Sequence, residues 1–264
     1  MPSVGMVTLV GAGPGDPELL TMKAARLIQT ADVVVYDRLV APAILALAPV
    51  GAEMVNVGKR THHHPVPQEE INEILVRYAQ AGRDVIRLKG GDPFIFGRGC
   101  EETARLSEAG IPFDIVPGIT AAQGASASTG VPLTHRGLAR SVRYVTGHCK
   151  ADEILDLDWD GLADPETTLV VYMGKASINL IATKLMAHGL QPDMPVLAVA
   201  SATSPKERSV TTRLDRIEAD IAESGLESPI VFIIGHVAGL AESRIPMRLI
   251  SQARAMREAE TFHA

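Results

Sequence analysis

The chain has 264 residues, 46% hydrophobic and 21% charged, with a formal net charge of −6 at pH 7. That length can bury a full core, either as one large α/β unit or as two smaller domains. No apolar run approaches the ~18 residues needed to cross a bilayer, and the acidic balance argues against a general nucleic-acid surface, which normally shows a basic excess.

Met1 leads almost directly into an apolar strand pattern without the basic stretch and apolar segment of a secretory leader, so a cytoplasmic location is expected. Cys100 and Cys149 lie far apart and make no paired metal-ligand spacing, which leaves them as free thiols in a reducing compartment.

In chain order, Val4–Val10 reads as a strand and runs into Gly11-Ala12-Gly13-Pro14-Gly15-Asp16-Pro17. Asp16 is placed to cap a helix over Glu18–Gln29, with Pro17 at its first position. Further strands are expected at Val33–Tyr36 (ended by Asp37), Glu53–Val57 (ended by Gly58-Lys59-Arg60), Asp84–Leu88 and Phe113–Val116, with an amphipathic helix over Val66–Ala81. Short strands alternating with helices imply parallel pairing, and ligands on such sheets sit beyond the carboxyl ends of the strands. The glycine-rich loops fall at those ends. After a linker at 132–140, strands are expected at Val142–Thr146, Thr168–Met173, Val196–Ser201, Arg208–Leu214 and Ile230–Ile234, with helices at Ile178–His188 and Asp215–Ser224. A hairpin around Ser204-Pro205-Lys206 makes the second sheet mixed. The expected division is 1–131, linker 132–140, 141–240, and a tail at 241–264.

The stretch Ile86–Arg105 concentrates candidate chemistry. Gly90 and Gly91 let the backbone approach a ligand closely, while Asp92, Arg98 and Glu101 add charge; a tight turn alone is the plainer reading of the glycines. From Ile115 through Ala151 there is no Asp or Glu, whereas His135, Arg136, Arg140, Arg143, His148 and Lys150 all fall inside. An anionic small molecule could bind there, although each cation could equally be an ordinary surface charge. The first loop matches a dinucleotide fingerprint poorly, because its third glycine position is Asp16, an acid that would oppose a pyrophosphate. His62-His63-His64 has no accompanying carboxylate or cysteine at ligand spacing. It reads as a solvated loop, or as a basic lid, and no metal is expected.

Taken together, the loops Val10–Pro17, Tyr36-Asp37, Val57-Gly58-Lys59, Gly90–Glu102, Val116–Ala121 and Tyr172-Met173-Gly174 resemble, in order, those of the tetrapyrrole methylase superfamily. The resemblance covers roughly Val4 to Gly239. It implies two α/β domains, the N-terminal sheet largely parallel and the C-terminal one mixed, with the active site in the cleft between them, in a homodimer. It implies methyl transfer from S-adenosyl-L-methionine to a polyanionic tetrapyrrole. Within the superfamily the motifs are similar to those of enzymes that methylate uroporphyrinogen III twice, through precorrin-1 to precorrin-2, towards sirohaem, cobalamin or haem d1. A unit without a fused dehydrogenase or ferrochelatase module is expected.

By the same resemblance, Pro14, Gly90, Gly91, Asp92, Ile95, Thr120, Ala121, Met173, Ala202 and Ile230 are cofactor contacts. Asp37 is the proton acceptor and Lys59 the donor, Arg98 and Glu101 are catalytic and substrate-handling residues, and Arg136, His148 and Met173 face the substrate. On the residues alone, Asp37 could simply cap a loop, Lys59 could be a solvated charge, and Arg98 with Glu101 could be a plain ion pair. A methylase acting on a later precorrin, a diphthine synthase-like methylase and a non-enzymatic tetrapyrrole binder are the other readings.

Overall fold

The computed structural model describes residues 4–58, 66–148 and 155–243. The chain divides into two compact units, Met1–Ala121 and Ala122–Ala264.

In the first unit five strands, β1 (Val7–Gly11), β2 (Val33–Tyr36), β3 (Glu53–Asn56), β4 (Val85–Lys89) and β5 (Phe113–Val116), form an all-parallel sheet ordered β3-β2-β4-β1-β5. Central β1 and β4 are buried along their whole length, as a parallel sheet covered on both faces requires, while edge strand β3 is largely exposed. Alternation sorts the side chains into two cores. Val7, Leu9, Val33 and Val35 pack with Leu75 and Val76 of α3 (Gln68–Gln80) and Leu106 of α4 (Gly99–Glu108). Val10, Val34 and Leu88 pack on the opposite face with Ala24 and Ile28 of α1 (Met22–Gln29) and Ile44 of α2 (Pro42–Leu45).

The single helix expected over Glu18–Gln29 is broken in two. Asp16 does cap a start that carries Pro17, accepting a hydrogen bond from the Glu18 amide at 2.9 Å, but it starts only a 3-10 turn at Pro17–Leu19. Thr21 then caps α1 afresh by accepting from the Ala24 amide at 3.1 Å, and the extended Leu20 separates the two starts.

In the second unit β6 (Ser141–Thr146), β7 (Thr167–Tyr172), β8 (Pro195–Ala200), β9 (Arg208–Arg213) and β10 (Ile230–Ile234) form a sheet ordered β6-β7-β10-β8-β9. Only β6 and β7 are parallel; the β8–β9 hairpin and both sides of β10 are antiparallel. Leu169, Val171, Ala198 and Phe232 pack on one face with α7 (Ile178–Ala187) and α8 (Ile217–Ser224).

The opposite face, with Val170, Leu197, Val231 and Ile233, packs against Ala122 and Ala125 of α5 (Ala121–Thr129). The Ala122 amide also donates to the Tyr172 hydroxyl at 3.1 Å. These contacts tie α5 to the second sheet, and the two compact units divide between Ala121 and Ala122, at the first residue of that helix. Segment 132–140 lies within the second unit, where His135 and Ala139 exchange backbone hydrogen bonds across a small turn.

Candidate functional site

In the first unit, the loops after β1, β4 and β5 are laced together. Gly13 and Gly91 exchange backbone hydrogen bonds of 3.1 and 2.7 Å. The Gly118 amide donates to Asp92 Oδ2 at 3.0 Å, while Asp92 Oδ1 accepts from the Phe94 amide at 2.8 Å. A Cβ on Gly118 would stand 2.2 Å from the Gly91 carbonyl oxygen, and Gly91 itself has φ +69°. Glycine is therefore required here by close backbone approach and by a left-handed turn.

Around this junction stand the expected cofactor residues Pro14, Gly90, Gly91, Asp92, Thr120 and Ala121; Ile95 is exposed on the loop after β4, between Phe94 and Phe96, which are exposed too. Asp92 thus acts first as the tie between two loops, through Oδ2, while Oδ1 fixes the turn of its own loop. Each oxygen keeps a second lone pair for a ligand donor. A floor of small residues with a fixed carboxylate at its edge fits a nucleoside-bearing cofactor such as S-adenosyl-L-methionine.

Two adjacent carboxylates on α4 serve opposite environments. Arg98, at the helix N-cap with φ +57°, donates through Nε and Nη2 to Glu101 at 2.8 and 2.6 Å; both side chains are about half exposed. Its partner raises the guanidinium pKa still further, chiefly through this hydrogen bond, so Arg98 remains a cation at any working pH.

Glu102 is fully buried. Its Oε1 accepts from Lys89 Nζ at 2.6 Å, Arg87 Nε at 3.2 Å and Gln68 Nε2 at 3.1 Å. Burial, helped by the neighbouring Arg87 cation, holds the Lys89 ammonium below the usual lysine range against the pull of Glu102 and Asp37. Asp37, just past the end of β2, accepts from the Leu39 amide through Oδ1 at 2.9 Å and places Oδ2 3.8 Å from Arg87 Nη2. It does cap a loop, and it also meets the buried cluster. Lys59 and His62-His63-His64 lie outside the described residues.

Glu102 closes the Gly90–Glu102 loop motif without a role assigned to it, and no motif singles out Arg87, Lys89 or Gln68. The available signal is physical. Arg87 and Lys89 stand two apart on a strand in the middle of a parallel sheet, and charges buried there demand a buried counter-charge.

In the second unit, Met173 follows β7 directly with φ +53° and stays exposed, and Ala202 is buried between Ser201 and Thr203, which have φ +50° and +63°. Ile230 opens β10, opposite Ala200 in register. Non-glycine residues held left-handed cost energy and cluster at ligand sites. Arg136 is exposed on the His135–Ala139 turn, and exposed His148 donates its amide to Thr146 Oγ1 at 3.1 Å. Arg140 pairs with Glu166, and Arg143 donates to the Gly161 carbonyl, so these two arginines already have partners within the unit.

The family model of the tetrapyrrole (corrin/porphyrin) methylases matches residues 6–218. The chain belongs to that family and is an S-adenosyl-L-methionine-dependent methyltransferase. It is 55% identical to the uroporphyrinogen-III C-methyltransferase of Paracoccus denitrificans, over 90% of this chain and 83% of that protein. It is 56% identical to the siroheme synthase of Acinetobacter baylyi over 90% of its own length, but spans only about half of that protein, 52%. Among solved structures, a uroporphyrin-III C-methyltransferase from Thermus thermophilus, in complex with S-adenosylhomocysteine, superposes with a TM-score of 0.76 at 45% identity, covering 88% of this chain and 93% of that one. Among the described residues no helix is long and apolar enough to cross a membrane.

Proposed function

We propose that this enzyme methylates uroporphyrinogen III at two positions, passing through precorrin-1 to precorrin-2, and acts as a homodimer. The observation that carries the reading is the 55% identity to a uroporphyrinogen-III C-methyltransferase over nearly the whole chain, together with the laced glycine loops and the Arg98–Glu101 pair at strand ends.

S-adenosyl-L-methionine supplies a methyl group on a sulfonium that is its own leaving group, so the protein's task is largely to position the reactants. Pro14, Gly90, Gly91, Asp92, Ile95, Thr120, Ala121, Met173, Ala202 and Ile230 are the residues proposed to hold it. Arg98 binds a substrate carboxylate or stabilises charge on the macrocycle, and Glu101 sets its direction. Arg136, His148 and Met173 complete the substrate contacts; a substrate with eight carboxylates favours cations at its rim. Asp37 takes a proton from the methylated macrocycle, and Lys59 is the donor.

The test is incubation of the purified protein with uroporphyrinogen III and methyl-labelled S-adenosyl-L-methionine. Two labels per macrocycle are expected. Absence of double methylation, or transfer only to a later corrin intermediate, overturns the assignment.

A further inference from the structure

The buried cluster beneath β4 carries more charge than its own members balance. Arg87, 2% exposed, and Lys89, 3% exposed, bring two cations; Glu102, at 0%, brings one carboxylate. The bonds from Lys89, Arg87 and Gln68 converge on one oxygen, Oε1, and Oε2 has no hydrogen-bond partner among the described residues. A buried, uncompensated cation is costly, and an apolar trio of the same volume would often be at least as stable. The second carboxylate the cluster meets is Asp37, whose Oδ2 lies 3.8 Å from Arg87 Nη2 while Oδ1 is held by the Leu39 amide at 2.9 Å. Arg87 is itself immobilised: Nε is on Glu102 at 3.2 Å, and Nη1 donates to the Leu88 carbonyl at 3.2 Å and the Val35 carbonyl at 3.5 Å. The Asp37 carboxylate is thus held at Oδ1 by backbone and faces, at Oδ2, the Nη2 of a guanidinium that Glu102 Oε1 fixes from 3.1 Å.

We propose that Arg87, locked by Glu102, is a positioning residue for Asp37: it draws the carboxylate to the sheet and fixes the direction in which its reactive oxygen faces substrate. Its role in turnover rests on the reading of Asp37 as the proton acceptor. Lys89 and Gln68 act one step further back, by holding Glu102 in place.

The experiment uses the full-length protein and the variants Arg87→Met, Arg87→Lys and Glu102→Gln, alone and on an Asp37→Asn background. Arg87→Met is expected to lower kcat for methyl transfer at least about tenfold and up to about 100-fold, with KM for the tetrapyrrole and Kd for S-adenosylhomocysteine within about threefold. Arg87→Lys restores part of the loss. On the Asp37→Asn background the same change costs less than about twofold, because the group it positions is gone.

Independently of turnover, the Leu39 amide resonance reports the hydrogen bond to Asp37. It should move in Arg87→Met and return towards wild type in Arg87→Lys. Should Arg87→Met fail to fold, Arg87→Lys and Glu102→Gln carry the test, each expected to give a smaller kcat loss that Asp37→Asn again masks. Independent, multiplying losses from Arg87 and Asp37, or an unmoved Leu39 amide, would overturn the proposal. Wild-type protein that fails to methylate uroporphyrinogen III, but whose Leu39 amide responds as described, would overturn the proposed function and leave the positioning in place.

Discussion

Glu101 and Glu102 are neighbours on one helix and could hardly be used more differently. The first points to solvent and meets Arg98 across a half-exposed pair; the second points into the unit and meets Arg87, Lys89 and Gln68 with no solvent contact. About 100° of helical rotation separates them. The same side chain therefore serves a surface where an ion pair contributes ~0–1 kcal/mol and an interior where removing one partner costs about 3–5 kcal/mol. A charge pair's contribution to stability is set by its surroundings, and its contribution to function need not follow.

The sharpest way to break this contrast is to delete each carboxylate in turn. Glu102→Ala should lower stability by about 3–5 kcal/mol, since two buried cations lose their counter-charge, whereas Glu101→Ala should cost less than about 1 kcal/mol. Chemical denaturation of both variants checks it; equal midpoints would mean that the burial difference has no energetic content.

Arg98→Ala should reverse the ranking when activity is read. On the proposed role of Arg98 as a charged hydrogen-bonding partner of the substrate, its loss costs about 1.5–3 kcal/mol, roughly 10- to 150-fold in turnover, with S-adenosylhomocysteine binding largely kept. A matching loss of cofactor affinity, measured by calorimetry, would make Arg98 structural.

Gly118→Ala probes the other region that the sheet supports. Its Cβ would lie 2.2 Å from the Gly91 carbonyl oxygen, and overpacking of about 1–3 kcal/mol should weaken S-adenosylhomocysteine binding roughly tenfold while leaving the Glu102 cluster intact.

The smallest effect concerns pH. Because burial depresses the Lys89 pKa in the folded state, the unfolded chain binds more protons between that lowered value and 10.5, so stability rises with pH across this window. Lys89→Met keeps the volume and removes the titration. Denaturation midpoints followed towards pH 10.5 should rise in wild type and rise less in the variant.

Much of the fold is legible in the order of residues. The runs VVVY at Val33–Tyr36, FDIV at Phe113–Val116 and IVFII at Ile230–Ile234 are bounded by turn residues and form strands with the expected limits. The mixed character of the second sheet follows from the turn at Ser204-Pro205-Lys206. The break at Leu20 is not legible in this way, because Thr21 looks like any helical residue until its hydroxyl is seen to cap the Ala24 amide. The helix α5 reads as the end of the first domain by position, yet its small residues pack against the second sheet. At the site, the glycines and Asp92 are visible as a motif, but their lacing through Gly13 and Gly118 depends on β1, β4 and β5 being neighbours. The Arg87–Glu102 cluster is hidden for the same reason: periodicity shows that β4 is a strand, and only the sheet order shows that it has no solvent face.

Gly11, Gly91 and Gly118 meet backbone against backbone. They come from three separate places in the chain but behave as one inherited trait. A side chain at Gly11 or Gly118 would drive into the backbone of the other loops, one at Gly91 would strain its left-handed φ of +69°, and once the strand ends have parted there is little left for the remaining glycines to protect. Divergence at this junction should therefore proceed by wholesale replacement of all three loops, not by single steps that each keep the enzyme working.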